Sequence, residues 1–255
     1  MKDLQCAWLG ELGPQQGVVL SSRIRLARNL EGYPFPPSCR PGSLADVLTL
    51  ITDRASQLPD YTVVDMNRVH PVEAHLLVER HLISPAFASS TRPRSLILSP
   101  DSRIALMCNE EDHLRLQCLV PGLQFGEAWK QAAEVEEFLA QSLSFAFDEQ
   151  FGYLTACPSN AGTGLRASAM LHLPGLAWIN ALENIFQQVS QLGLTVRGLY
   201  GEGTQSAGHL VQVSNQVTLG PYEEEIVAKI NAVCEQIIQY ECSARRQLIT
   251  EQRLV

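Results

Sequence analysis

No stretch of the 255-residue sequence approaches the length of an apolar membrane span, and the N-terminal "MKDLQCAWLG" is too short an apolar run for a secretory leader. There is no CxxC and no clustered Cys/His pair, and the seven cysteines (Cys6, Cys39, Cys108, Cys118, Cys157, Cys234, Cys242) are an odd set. That pattern speaks against a zinc site or a disulfide framework and fits reduced thiols, so a cytoplasmic location is expected. A basic surplus is also missing: the net charge is −8. Neither nucleic acid nor an anionic membrane is therefore an expected partner, since both need a basic footprint. The acidity favours a cationic substrate, although solubility alone explains as much in many enzymes. With 45% hydrophobic and 18% charged residues the chain is far from the composition of disorder. Repeats, low-complexity tracts and convincing linkers are absent too, so residues 1–255 read as one domain with a substantial core.

The standard catalytic and nucleotide fingerprints are missing as well. There is no GxxxxGK[ST], and "GTGLRA" (162–167) has neither the setting nor the spacing of a dinucleotide loop. Without HExxH or GxSxG, metalloprotease and α/β-hydrolase readings lose their usual support.

What is present is a series of strands and helices. "GVVLSSRIRLARNL" (17–30) opens as a strand, on which Arg23 and Arg25 point to one face. A helix is predicted over 43–58 with Ser43 as its cap, then a strand at "YTVVDM" and a helix over 71–84 with Pro71 in its first turn. "RSLILS" and "SRIALMC" form a hairpin about "PDS", and "LRLQCLV" (114–120) is the next strand. A long amphipathic helix over 126–147 follows, then short strands separated by a Gly/Pro/Ser/Asn loop within 152–173. A helix over 175–193 ending at Gly193, two more strand-like runs and a final helix from about Pro221 complete the chain. The expected fold class is α+β, a mainly antiparallel sheet flanked by helices.

The chemistry concentrates in the polar loops. "NEEDHLR" (109–115) follows an apolar strand with more titratable groups than a chain reversal needs. Arginines stand at loop edges: Arg23, Arg25, Arg115, Arg166 and Arg197. Guanidinium groups bind phosphate in planar, bidentate fashion and stay charged, so several on one sheet face would clamp a polyphosphate without a P-loop. Each alone is as well explained as an exposed strand residue or the partner of a surface acid. Glu110 and Glu111, with Glu202 in the glycine-bounded "YGEGTQSAG", supply carboxylates suited to a planar cation. Cys157 begins "CPSNAGTG", where a free cysteine is ordinarily a small buried hydrophobe, and His81 in "VERHLIS" is by default a helix-face histidine.

Together "SSRIRLARN", "NEEDHLR", "CPSNAGTGLRAS", "RGLYGEG" and "VSNQVTLG" resemble the catalytic domain of the phosphagen (guanidino) kinases, with its glutamine synthetase-like fold, and most closely the bacterial protein arginine kinase branch. The match runs from about residue 17 to 245, with the motifs in the family's order. "NEEDH" and "CPSNAGTG" are specific, whereas "SSRIR" alone is weak. The resemblance implies that Arg23, Arg25, Arg115, Arg166 and Arg197 hold the phosphates of ATP and that His81 lies beside the adenine. It implies that Glu111 and Glu202 hold the guanidinium, Glu111 serving as base, while Cys157 orients it as a thiolate. Mg²⁺ is then held mainly by phosphates and waters, with no dedicated protein ligand. The chemistry is consistent with that: a protonated guanidinium has no free lone pair until a carboxylate takes its proton, and arginines stabilise the charge on a transferring phosphoryl group.

The chain departs from the small-molecule phosphagen kinases in starting its motifs almost at once and in placing Met170 where they often carry histidine. Both features favour an arginine-bearing protein as the substrate. The bacterial branch continues into a C-terminal domain that reads phosphoarginine and supports dimerisation, which is expected to be missing after "ARRQLITEQRLV". Three readings remain open: a kinase for protein arginine, a kinase for free arginine or another small guanidine, and a non-catalytic module that binds ATP or arginine-bearing partners. The need for an activator protein and the oligomeric state are left open with them.

Overall fold

Along the first long strand, Ile24 and Leu26 are buried hydrophobes while the residues between and before them are Arg25 and Arg23. A strand sends such neighbours to opposite faces, and the whole architecture follows from that division. The computed structural model describes residues 6–198 and 207–252. Its elements run α1 (Ala7–Gly10), β1 (Val19–Arg28), α2 (Pro41–Ala55), β2 (Thr62–Asp65), α3 (Pro71–Glu79), α4 (Pro85–Ser89), β3 (Ser95–Leu98), β4 (Ile104–Cys108) and β5 (Leu114–Pro121). Then come α5 (Phe125–Ala140), β6 (Phe147–Asp148), β7 (Gly152–Tyr153), β8 (Leu165–His172), α6 (Pro174–Trp178), α7 (Leu182–Gln191), β9 (Leu194–Gly198), β10 (Leu210–Asn215) and α8 (Glu223–Gln252).

Eight strands make one antiparallel sheet in the order β2-β3-β4-β5-β1-β8-β10-β9, while β6 and β7 pair separately. One face is mainly apolar: Ile24 and Leu26 of β1, Leu114 and Leu116 of β5, Leu165 and Ala167 of β8 pack with Ala128 and Ala132 of α5 and Ile230 and Ile237 of α8. On the opposite face, Leu96 and Leu98 of β3 and Ala105 and Met107 of β4 are covered by Leu77 of α3 and Phe87 of α4. Beyond that patch the second face carries polar residues, and it is this part that forms the site.

Arg28 shows how strictly the alternation acts. It shares the parity of Ile24 and Leu26 and is only 1% exposed, so it points into the helix-covered core. There its Nε donates to Glu136 of α5 at 2.5 Å, its Nη1 donates to the carbonyls of Ala27 and Thr163, and its guanidinium lies 3.5 Å from the centre of the Tyr153 ring. It is a structural cation, paired with a carboxylate as a buried charge must be.

Several element boundaries differ from those the sequence predicts. The helix predicted from Ser43 begins at Pro41, with Arg40 preceding it and no side-chain cap, because proline's fixed φ suits the first helical turn. The helix predicted over 71–84 stops at Glu79: His81 takes a left-handed φ of 57°, and Pro85 disfavours a helical Ser84. Ser84 instead caps α4, accepting from Phe87 N. The helix expected over 126–147 ends at Ala140, and the one expected over 175–193 is split where Asn180 adopts φ 56°. Gly193, at φ 73°, does follow the end of α7.

Candidate active site

The polar face brings arginines from three strands together. In the sheet register Arg25 of β1 stands directly opposite Arg166 of β8, Ala27 opposite Arg115 of β5, and Arg23 opposite Ser168. Like charges directly opposite on one sheet face are destabilising. Their presence here marks a surface shaped for an anion rather than for stability. Arg25, Arg115 and Arg166 line a cavity of about 200 Å³ together with Glu110, Glu111, Asp112, Cys157 and Ser159. The buried Nε atoms of Arg25 and Arg166 have no hydrogen-bond partner, as expected of donors held for a ligand.

Electrostatics say the same. Burial pushes the Arg23 pKa down to about 10, with the charges of Arg115 and Arg166 adding to the effect. Arg25 is held well below the ordinary arginine value by burial and then by Arg23, Arg115 and Arg166. Arg166 is lowered by burial, then by Arg197 and Arg115. A cavity in which several guanidinium groups disfavour one another's charge has a positive potential in want of a counter-charge, and a polyphosphate supplies one.

The acids come from the β4–β5 turn, residues 109–113. Most of that turn is scaffolding. Asn109, at φ 62°, donates to the carbonyls of Leu44 and Pro93. Asp112 accepts from Asn29 Nδ2 at 2.6 Å and from Ala156 N at 2.7 Å, tying the turn to the Cys157 loop. His113 Nδ1 accepts from Leu30 N, and its Nε2 lies 3.1 Å from the Pro34 carbonyl. Glu111 is left facing the cavity. Its carboxyl is raised above the ordinary value by burial and by the charges of Asp112 and Glu110, which outweigh Arg115. A carboxylate more willing to take a proton is what a general base requires.

Cys157 enters the same cavity from the other side, its Sγ 3.0 Å from Ser159 Oγ. Its loop is fixed by a close approach at Gly162, whose φ is 103° and where a Cβ would lie 2.3 Å from the Thr218 carbonyl. Arg23 and His81 line a small adjoining recess with Ser168, Met170 and Gln212, where Arg23 donates to Ser168 Oγ and Gln212 Oε1. His81 is lowered by burial and by Arg23. Arg197 of β9 stands opposite Gln212 in register. Of the residues singled out from the sequence, Arg25, Arg115, Arg166, Glu111 and Cys157 therefore share one cavity, with Arg23 and His81 beside it. Glu202 lies outside the described residues.

The sequence reading did not find Ser84, Ser168, Ser214 or Gln212, which position the arginines. Ser168 was accessible by strict alternation, lying two residues after Arg166 on β8, whereas Gln212 and Ser214 are on β10 and only the register sets them opposite Arg197 and Ser168. Ser84 gave no such signal. Its Oγ donates to Glu110 Oε1 at 2.5 Å, and both carboxylate oxygens of Glu110 accept from Arg115 Nη1 at 2.8 Å. Glu110 is lowered despite burial, because Arg115 and the Ser84 hydroxyl outweigh desolvation. Ser84→Ala is expected to weaken ATP affinity about 2- to 10-fold by calorimetry through a looser Arg115, a hydrogen bond being worth about 1 kcal/mol.

A larger cavity, about 590 Å³, lies between α3 and α4. Its arginine, Arg94, already donates to the carbonyls of Phe87, Ala88 and Arg92 and to Asn67 Oδ1, so it is not aimed at a ligand.

Comparison with known proteins agrees with this geometry. The family model for the ATP:guanido phosphotransferase C-terminal catalytic domain matches residues 45–244. The chain is 46% identical over 249 residues to the protein-arginine kinase of Halothermothrix orenii, covering 97% of this chain and 71% of that one. It is 47% identical over 256 residues to that of Symbiobacterium thermophilum, covering 97% and 72%. Among solved structures, lombricine kinase superposes with a TM-score of 0.82 at 26% identity, over 96% of this chain and 73% of that one. The duplicated taurocyamine kinase of Schistosoma mansoni with transition state analogue components gives 0.80 at 25% identity, over 92% and 35%. A cationic sheet face beside a glutamate turn and a cysteine loop, in an antiparallel fold shared with these enzymes, thus has a family: the chain belongs to the ATP:guanido phosphotransferases.

Proposed function

We propose that the protein is an ATP-dependent kinase of arginine residues in proteins, using the cavity between β1, β5 and β8. The observation that supports it most is the meeting, in one small cavity, of unpartnered arginine donors with a carboxylate raised toward proton acceptance. The relatives at 46% and 47% identity are protein-arginine kinases, whereas the enzymes named for small guanidines are matched at 25–26%.

In this reading Arg25 and Arg166, with Arg23, Arg115 and Arg197, bind the phosphates and neutralise charge as the terminal phosphoryl group leaves. His81 borders the base. Glu111 orients the guanidinium of the acceptor and takes its proton as the nitrogen attacks, Cys157 fixes the plane from the opposite side, and Glu202 is the second carboxylate. Magnesium would be held by the phosphates and water, adding charge neutralisation there. Among the described residues no group of three or more His, Cys, Asp or Glu side chains is placed to hold a metal. No helix among them is long and apolar enough to cross a membrane. The free cysteines suit a reducing cytoplasm.

Incubation with Mg·ATP and a basic protein is expected to yield acid-labile phosphoarginine, read by mass spectrometry at neutral pH. ADP release stimulated by free guanidines without protein labelling would move the assignment to a small-molecule kinase. ATP binding with no transfer to any guanidine would overturn both.

A further inference from the structure

Against the loop that carries Cys157 and Ser159 into the cavity, on the side away from its lining, the surface is apolar where the core does not require it. Phe147 and Phe151 of the β6–β7 hairpin and Val217, Leu219 and Tyr222 between β10 and α8 are 48% to 72% exposed. The two segments are fastened to each other through the Cys157 loop. Tyr153 N donates to the Gly162 carbonyl at 2.8 Å, Thr163 N to the Thr218 carbonyl at 2.9 Å, and Thr218 Oγ1 to the Ala161 carbonyl at 2.7 Å. At Gly162 a Cβ would lie 2.8 Å from Leu219 Cα. The apolar side chains thus flank the loop that brings Cys157 into the cavity.

Within these two segments charge has one sign, with Lys229 Nζ coming close to Val217 beside Gly193 and Arg28 lying against the Tyr153 ring. From Gln131 to Leu165, and again from Leu210 to Ala228, the sequence holds no lysine, arginine or histidine. Asp148 and Glu149 stand exposed at the hairpin turn, and Glu223 is close enough to the Tyr153 hydroxyl to help raise its pKa, after burial and alongside Glu136. An arginine whose guanidinium reaches Glu111 leaves its own backbone at the cavity mouth, so its sequence neighbours lie outside the cavity, against the surface around it. A free guanidine has no such neighbours.

We propose that this apolar and acidic face is the docking surface for the polypeptide around the target arginine, an extended segment with lysine or arginine neighbours and an apolar side chain. The proposal rests on the kinase reading above and specifies its acceptor. Exposed apolar patches beside a polar site are typical of recognition surfaces, aromatic residues are enriched in them, and opposite charge speeds encounter.

The test compares two acceptors, a peptide with arginine among lysines and leucines and a blocked single arginine, in the parent chain, the double variant Phe151→Ser/Leu219→Ser, and Glu149→Lys. The double variant is expected to raise the peptide KM about 10-fold, the scale of losing interface anchors, with the blocked-arginine KM and the melting temperature unchanged. Glu149→Lys should weaken peptide binding most at low salt. Equal shifts for both acceptors, no shift for either, or a parent dimer that the double variant dissociates would each overturn the proposal. If the parent transfers to neither acceptor, the kinase reading fails separately. Fluorescence anisotropy then decides the docking surface: peptide bound by the parent and released by the variants upholds it, and equal binding overturns it.

Discussion

Arg166→Met is expected to lower phosphoryl transfer by about 10³-fold or more, the scale seen when an arginine that stabilises transferring phosphate is removed, while raising the melting temperature of the ligand-free chain. The two effects have one origin. Arg166 faces Arg25 across the β1–β8 pair, its Nε has no partner, and its charge is disfavoured by burial, Arg197 and Arg115. Replacing it with an unbranched apolar side chain removes a repulsion of about 0.2–1 kcal/mol between facing residues together with the group that binds the anion. Stabilisation by added ATP should shrink in parallel, because binding to the folded state is what shifts the transition. Arg166→Lys should fall between, keeping charge but losing the planar fork. Turnover measured as ADP release and thermal scans with and without nucleotide provide the check, and a variant that lost both activity and stability would contradict the account.

Glu111→Gln is expected to reduce transfer about 10²- to 10⁴-fold, the range of general base catalysis, with ATP affinity nearly intact. Glutamine fills the same space and hydrogen-bonds the guanidinium but cannot accept its proton. The pH profile adds a sign. Glu111 works only when ionised, and burial with the charges of Asp112 and Glu110 raises its pKa. The acid limb of kcat/KM should therefore lie above the ordinary glutamate range of about 4.3. Activity is lost as pH falls through that limb, and the residual activity of Glu111→Gln should lack it. A parent and a variant with identical profiles would place the base elsewhere.

The fold class and much of the site were readable because strands leave a two-residue period. That period put Arg23 and Arg25 on one face, and it also separates them from Arg28, which looks equivalent in "RIRLAR" yet serves the core. The turn "NEEDH" was legible as an excess of charge, and only the family resemblance singled out Glu111 within it; the residues alone did not divide its labour. Adjacent glutamates carry no sign of which will be taken by Arg115 and which will stay available, since that depends on Ser84 reaching across from another segment. Helix ends were the weakest part of the reading. Pro41, His81 and Asn180 act through backbone angles, which hydrophobic spacing does not record.

The sheet order has a consequence for how an active molecule comes into being. β1 is made early in synthesis but takes its place between β5 and β8, which lie far along the chain. The strands that hold Arg25, Arg115 and Arg166 therefore meet only through long-range pairing, the slow part of folding a β topology. A nascent or partly folded chain has the individual arginines and glutamates but no cavity. Phosphoryl transfer is thus confined to molecules whose sheet has already closed around β1, and competence to react becomes a report that folding is complete.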